Sequence, residues 1–238
     1  MPENIEIFKT KDELLQKAGE QSNKVEEKYK QSIFLYFIAR YFVSVHEAKF
    51  GTIPIQVWNE YRNALDHFFR NLTNNDPAHI GKMEGHIQRA VLDILKIYCH
   101  MVQEEVKKLK ENYKADILNL VDNGGFSTKL IIDIKSSEDL FIKAKLKDSA
   151  LGEDSRTNKD IVSNYLDAVF SFNDIYNYMV SKTHDIERAS ITYQAIHDKA
   201  EKGSFYEHMR THYIFYISWS FITWMLQLIL NSFSNTPK

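Results

Sequence analysis

The feature that most constrains the fold is a run of apolar residues that recur at every third or fourth position after Pro77. This spacing places one apolar stripe along an α-helix of 3.6 residues per turn. Gly124 and Gly125 follow the run, and glycine readily adopts the left-handed conformation that ends many helices. The pattern therefore predicts one long amphipathic helix. Its apolar positions are Ile80, Met83, Ile87, Val91, Ile94, Tyr98, Val102, Val106, Leu109, Tyr113, Ile117 and Leu120.

A second helical pattern precedes this run and predicts an antiparallel hairpin. Pro54 suits the first turn of a helix, and the stretch NLTNNDP at 71–77 is rich in turn-forming residues. Two helices joined by so short a turn pack against each other in opposite directions. We expect the apolar face of the first helix to be buried in the core. That face comprises Trp58, Tyr61, Leu65, Phe68 and Leu72.

The rest of the chain also favours helices, with one exception. Eight Gly and four Pro in 238 residues are too few for the many turns of an all-β fold. Residues 28–45 predict a buried core helix, and a helical pattern resumes at Lys159 and continues past Tyr193. The segment 126–157 instead shows short β-like alternation in KLIIDI and LFIKAKL, followed by the exposed loop LGEDSRTN. We expect a small β-like or irregular insertion there.

The C-terminal run YIFYISWSFITWMLQLIL at 213–230 carries no charged side chain and is about long enough to cross a bilayer. Basic residues precede it, so the positive-inside rule predicts a single-pass membrane protein with most of the chain in the cytoplasm. The alternative is a helix buried on every side within a soluble bundle. The predicted organisation is an N-terminal helical segment at 1–27, a helical domain at 28–200 and a membrane-proximal and transmembrane segment at 201–238.

The charge and the cysteine content limit which partners and which cellular compartment we expect. The formal net charge of −2 gives no general attraction to phosphates, so any contact with RNA requires a local basic patch. The single cysteine, Cys99, cannot form an intrachain disulfide, which is typical of a reducing compartment. The charged N-terminus lacks the apolar core of a secretory signal.

The helix after Pro54 contains the hexapeptide R-N-A-L-D-H, which runs from Arg62 through Asn63 to His67. This hexapeptide resembles the motif of the HEPN superfamily, in which an arginine and an adjacent polar residue precede a histidine. The resemblance implies an all-α HEPN-like bundle with metal-independent RNA cleavage and no cofactor, usually at a site shared by two protomers. It also implies service in antiviral defence or toxin systems. Some membrane-attached members are accessories of RNA-targeting CRISPR systems, with which this chain is compatible.

The three residue types suit that chemistry. A neutral histidine can accept the proton of a ribose 2′-hydroxyl, and an arginine can stabilise the negative charge that develops on phosphorus. Asn63 can orient either of them. We therefore take Arg62, Asn63 and His67 as candidate catalytic residues, and we expect all three to line one groove.

The facing helix supplies supporting candidates. Counting outward from the hairpin turn, His67 lies level with 84–87 and Arg62 lies near Arg89, so His86 and Arg89 are expected beside the motif. Asp66 is a further candidate. An alternative is that Asp66 forms an ion pair with Arg89 and that this polar row is only a salt-bridged helix face.

These observations leave three functional hypotheses. The first is a membrane-anchored, homo-oligomeric HEPN-like defence protein that binds or cleaves RNA at Arg62 and His67. The second is a non-enzymatic membrane effector that oligomerises into a pore or disrupts the bilayer, with the helical domain as its sensor. The third is a soluble helical interaction module with 213–230 packed inside. Motifs for nucleotide hydrolysis, zinc proteolysis and serine hydrolysis do not occur in the sequence.

Overall fold

The computed structural model describes residues 8–151 and 159–234, and within these ranges the chain forms eight α-helices and no β-strand. Side chains are described for the same residues except 151, 159, 224 and 226–234. This confirms the predicted all-α class. The helices are α1 (Lys11–Ser22), α2 (Glu27–Phe50), α3 (Ile55–Asn74), α4 (Ala78–Asn112), α5 (Ala115–Leu120), α6 (Gly125–Leu151), α7 (Lys159–Ser181) and α8 (Thr183–Ser234).

The chain divides into two units, Met1–His184 and Asp185–Lys238. In the first unit α4 is the central helix and packs against α2, α3 and α7, while α1 packs on α2 and α6 packs on α7. The predicted apolar stripe of α4 lies in this core, where Ile94 and Tyr98 are fully buried. In the second unit α8 continues without a break across residue 200, where we placed a domain boundary.

The α3–α4 hairpin forms as the sequence predicts, and its turn is held by polar side chains. Asn75 ends α3 in the left-handed conformation with φ of 49°. The buried Asn71 donates from Nδ2 to the carbonyl of Asp76 at 2.8 Å and accepts from the hydroxyl of Tyr29 at 3.1 Å. Asp76 in turn accepts from the backbone N–H of Ala78 at 2.9 Å, which satisfies a donor at the start of α4. These bonds fix the register of the two helices.

The predicted long helix is shorter than its apolar pattern. It ends at Asn112, because Tyr113 and Lys114 adopt extended backbone conformations before α5 begins. The break allows Ile117 and Leu118 of α5 to be buried. A 3₁₀ turn at Val121–Gly124 then leads into α6, with Gly124 at φ of 87°.

The predicted β-like insertion at 126–157 is wrong, because α6 occupies Gly125–Leu151 as one helix. Its buried residues are spaced by three, four and seven positions, which is helical periodicity. The isoleucines that produced the apparent alternation, Ile131 and Ile132, are exposed side chains of this helix. Most of the predicted loop, at 152–158, lies outside the described residues. The buried positions of α6 are Phe126, Leu130, Ser137, Phe141 and Ala144.

The predicted transmembrane helix at 213–230 also requires correction. Among the described residues, no helix has a stretch that is both long and apolar enough to cross a bilayer. The side chains of 224 and 226–230 lie outside those described. The run is uncharged, but its serine, threonine, tyrosine and tryptophan residues lower its hydropathy. The hydroxyls of Ser218 and Thr223, for example, donate hydrogen bonds to backbone carbonyls of the helix at 2.8 and 3.0 Å. The predicted single-pass localisation that rested on this span is therefore wrong for the described residues. A membrane partner stays a prediction.

Candidate functional site

Three histidine rings meet where α3 faces the first turns of α4. His67 of α3 stacks against His79 with ring centroids 5.1 Å apart and against His86 with centroids 5.3 Å apart. The Nδ1 atoms of His67 and His79 lie 3.0 Å from each other, which is hydrogen-bonding distance. His67 is half-buried. The hairpin thus brings three proton-transferring groups together.

The contact between His67 and His79 restricts where their protons lie. Two ring nitrogens can form a hydrogen bond only if one carries the proton and the other offers its lone pair. Asp76 places a carboxylate oxygen 3.8 Å from Nε2 of His79, which favours a proton on that nitrogen. Nδ1 of His79 is then the acceptor, and His67 donates from Nδ1. This tautomer leaves Nε2 of His67 with a free lone pair.

Glu60 anchors the third ring. Its Oε2 lies 2.7 Å from Nδ1 of His86 and 3.0 Å from Nε of Arg89. A terminal nitrogen of Arg89 also lies 2.6 Å from the same Nδ1, but a ring nitrogen cannot both donate to Glu60 and accept from Arg89. We assign the proton to Nδ1 of His86, because the carboxylate of Glu60 is a stronger hydrogen-bond acceptor than an imidazole nitrogen. Nε2 of a neutral His86 then carries the lone pair.

His67, His86 and Arg89 border an open cavity of about 650 Å³ on the surface of the hairpin. Arg89 and Lys82 provide positive charge and Glu84 provides one carboxylate. Gly81 and Gly85 lie one turn apart on α4 and carry no side chain, so the helix surface there is accessible to a ligand. The cavity is lined by His67, Ala78, Gly81, Lys82, Glu84, Gly85, His86 and Arg89.

Two groups of the site have shifted pKa values. Burial lowers the pKa of His67, and the neighbouring charges of His86, His79 and Lys82 lower it further, while the charge of Asp66 opposes them. Burial alone would raise the pKa of Glu60, but the hydrogen bonds from His86 and Arg89 outweigh it and lower that pKa overall. His67 is therefore favoured in its neutral form and Glu60 in its charged form.

The structure separates the residues that the sequence grouped as one motif. His67 faces α4, but Arg62 is exposed and forms no hydrogen bond or ion pair with the described residues. Five residues along a helix correspond to roughly 140° of rotation, so these two side chains point to different sides of α3. Asn63 is half-buried and lies roughly 40° from His67.

The proposed pairing of Asp66 with Arg89 is also absent. Asp66 forms an ion pair with Arg70 at 2.9 Å one turn further along α3, and Arg89 pairs with Glu60. Both partners of the Asp66–Arg70 pair are more than half exposed, so this pair contributes little to stability. Asp66 lies outside the group of residues that line the cavity.

Sequence reasoning missed Glu60 and His79, although both leave a detectable signal. Glu60 precedes His67 by seven residues, and His79 precedes His86 by seven. Seven residues are two helical turns, so each pair shares one helix face. In an antiparallel hairpin two such pairs face each other, which could have identified all four residues.

No group of three or more His, Cys, Asp or Glu side chains in the described ranges is arranged to hold a metal ion. In the histidine cluster, Nδ1 of His67 and Nδ1 of His79 are directed at each other and not at a common point.

Comparisons with protein-family models, with curated proteins and with solved structures give no match to this chain. The chemistry of the cavity therefore carries the functional argument.

Proposed function

We propose that the cavity on the α3–α4 hairpin binds single-stranded RNA and cleaves its backbone by imidazole acid–base chemistry. The observation that carries this proposal is the hydrogen-bonded pair His67 and His79, stacked with His86 beside a cavity that contains Lys82 and Arg89. Imidazoles transfer protons near neutral pH, and cationic side chains bind phosphate.

His67 acts as the general base. Its lowered pKa keeps the ring neutral, and Nε2 carries the lone pair in the tautomer that Asp76 and His79 favour. The base takes the proton of a ribose 2′-hydroxyl as the 2′-oxygen bonds to phosphorus. The resulting positive charge on His67 is then stabilised by its Nδ1–H bond to His79.

His86 completes the reaction as the general acid. As the P–O5′ bond breaks, a protonated His86 donates from Nε2 to the leaving 5′-oxygen, while its Nδ1–H stays bonded to Glu60. The products are a 2′,3′-cyclic phosphate and a 5′-hydroxyl. Arg89 and Lys82 stabilise the negative charge on the phosphoryl oxygens.

The resemblance of R-N-A-L-D-H to the HEPN motif supports the same reaction class on sequence grounds. It makes antiviral defence or a toxin system the first biological setting to test. The simplest form of the HEPN hypothesis places Arg62 and His67 in one groove, whereas Arg62 lies away from the cavity. Arg89 takes the role of the phosphate-stabilising arginine in our proposal.

The proposal is tested with a fluorescently labelled single-stranded RNA and with its all-DNA counterpart, each assayed with and without EDTA. We expect cleavage of the RNA only, with 2′,3′-cyclic phosphate ends and no effect of EDTA, because the 2′-hydroxyl is the nucleophile. His67→Ala should lower the rate by about 10² to 10⁴-fold. His197→Ala, an exposed histidine of α8, is the matched control and should retain full activity.

Cleavage of the DNA oligonucleotide, or loss of activity on chelation, would contradict the imidazole mechanism. Circular dichroism of His67→Ala separates loss of chemistry from loss of fold. A folded wild-type protein that neither binds nor cleaves any RNA of a randomised library would refute the proposed function.

A further inference from the structure

The side of α3 that faces away from the core carries an apolar stripe that is exposed in the described part of the chain. Its apolar side chains are between 52% and 69% exposed, although the same helix contributes Val57 and Ala64 to the core. Arg62 lies in the middle of this stripe. The exposed stripe comprises Ile55, Trp58, Arg62, Leu65, Phe69 and Leu72.

The spacing of the stripe is that of a helix-pairing seam. The six positions follow one another at intervals of three, four, three, four and three residues. Their average of about 3.4 residues is close to the 3.5-residue period that keeps a seam directed at one neighbouring helix. From Ile55 to Leu72 the stripe is about 26 Å long at 1.5 Å per residue. A second helix is therefore the occupant that this surface fits best.

We propose that the stripe binds the same stripe of a second copy of this chain, with the two α3 helices antiparallel across a two-fold axis. The stripe is self-complementary in that orientation. Ile55 faces Leu72 of the second copy, Trp58 faces Phe69, and Arg62 faces Leu65, so that each position meets another member of the stripe. Two-fold pairing of one surface with itself is the commonest way in which identical chains associate.

Charge complementarity supports the antiparallel register. Arg62 has no partner among the described residues, and in this register it comes within one position of Asp66 of the second copy. Asp66 lies beside the stripe and is exposed despite its pair with Arg70. Two symmetric Arg62–Asp66 pairs therefore flank the axis. A parallel arrangement would instead place the two Arg62 side chains against each other in the apolar seam, which is unfavourable.

An apolar cavity of about 300 Å³ adjoins the stripe between α2, α3 and α4. Trp58 and Leu65 belong to both the stripe and the cavity wall, and Tyr36, Phe68 and Met83 form other parts of the wall. Such a depression can receive a side chain of the second copy, as holes receive knobs in paired helices.

The oligomeric state of the full chain tests the inference by sedimentation across a range of concentrations. We expect a dimer of twice the chain mass of 27.9 kDa. Leu65→Lys should weaken the dimer by at least 100-fold, because it introduces a charge at the centre of the seam. The matched control is Gln56→Lys, an exposed position of α3 outside the stripe, which should leave the dimer intact.

The antiparallel register is tested by engineered cysteines. The native Cys99 is buried and therefore does not compete in disulfide formation. A mixture of Ile55→Cys and Leu72→Cys chains should form a mixed disulfide, and Ile55→Cys alone should form none. Disulfide formation by Ile55→Cys alone would show a parallel arrangement and overturn the proposal. A monomer at every concentration would overturn it as well.

A charge swap provides a test that does not depend on the apolar residues. Arg62→Asp and Asp66→Arg should each weaken the dimer, and the double variant should recover most of the loss because the two pairs re-form with reversed sign. Additive losses would contradict the Arg62–Asp66 contact. Leu65 lies roughly 160° around α3 from His67, so Leu65→Lys leaves the histidine-lined cavity unchanged and its RNA cleavage is scored independently of dimer formation.

Discussion

At the scale of single residues, the protonation of His67 determines what the cavity can do. A general base must be neutral, and three features favour the neutral ring: its partial burial, the two neighbouring histidines and the charge of Lys82. The Nδ1 contact with His79 fixes the tautomer, because both nitrogens cannot carry protons at 3.0 Å, and it leaves the lone pair of His67 on Nε2. The geometry and the electrostatics of His67 are therefore consistent with the role of a general base.

The first prediction concerns the titration of His67. Its pKa should lie below 6.5, so the fraction in the base form falls only when the pH drops below that value. In Lys82→Gln the pKa of His67 should rise, because a nearby positive charge is removed. Proton NMR of the imidazole resonances measures both values without requiring activity. An unchanged or lower pKa in Lys82→Gln would contradict the electrostatic contribution of Lys82.

The second prediction concerns Glu60 and the pH dependence of stability. The pKa of Glu60 is lower in the folded protein than its ordinary value of 4.5, so the unfolded chain binds the proton more readily. The stabilisation by Glu60 is therefore complete above pH 4.5 and is lost as the pH falls through the lowered pKa. Urea unfolding at pH 7 should show Glu60→Gln less stable by about 1 to 2 kcal/mol.

The same comparison at low pH provides the control for Glu60. As the pH falls through the lowered pKa of Glu60, the difference between the wild type and Glu60→Gln should shrink, since the carboxyl group becomes neutral like the amide. A difference that stays equal to that at pH 7 would show that packing, and not the hydrogen bonds to His86 and Arg89, accounts for the loss.

Part of the site was predictable from residues alone. The register count across the hairpin placed His67 opposite His86, and the structure stacks these two rings. The count could not assign Arg62, because a motif read as adjacent letters ignores the rotation of the helix between its ends. As an alternative it paired Arg89 with Asp66, whereas the structure pairs Arg89 with Glu60, another acidic residue of α3 within reach of a hairpin count.

At the scale of elements, the hairpin turn determines whether the histidine rings meet. The buried Asn71 and the left-handed Asn75 hold the end of α3, and Asp76 holds the start of α4. A change of register by one residue would rotate His67 by roughly 100° relative to α4 and separate the rings. The turn is therefore part of the site even though it contributes only Asp76 to it.

The third prediction tests this turn through Asn75. Asn75→Ala places a Cβ-bearing residue without a local hydrogen-bonding side chain at φ of 49°, which costs about 1 to 2 kcal/mol. The melting temperature should fall by about 2 to 6 °C. Asn75→Gly is the matched control and should melt near the wild-type temperature, because glycine adopts this conformation without strain. Equal losses in both variants would show that the asparagine side chain, and not the backbone conformation, stabilises the turn.

Element type was harder to predict for α6 than for α4. In α4 most large apolar residues are buried and none is exposed, so periodicity and core coincide. In α6 large apolar residues are exposed at Ile131, Ile132, Ile142 and Leu146, and they obscure the helical spacing of the buried set. The stripe of α3 is a second example, since Trp58, Leu65 and Leu72 were predicted in the core and lie on the surface. Apolar periodicity indicates a contact face but does not tell which molecule covers it.

At the scale of the whole molecule, the C-terminal unit contrasts with the first. Every described side chain from 195 to 223 on α8 is exposed, including aromatic residues such as Phe205, Tyr213 and Trp219. The lack of charged residues at 213–230 marks this segment in the sequence, but it does not determine what packs against the helix.

The last prediction is that this surface is dispensable for folding of the first unit. A chain that ends at Gln194 loses described side chains that are all exposed, so the remaining core keeps its contacts. Its melting temperature should stay within about 2 °C of that of the full chain, since removal of exposed residues changes stability by less than about 0.5 kcal/mol. The helical circular dichroism signal should fall, because part of α8 is removed. Leu95→Ala, which truncates a fully buried side chain of α4, should destabilise both lengths equally by about 2 to 5 kcal/mol. A shorter chain that melts more than about 5 °C lower would show that the exposed part of α8 stabilises the first unit.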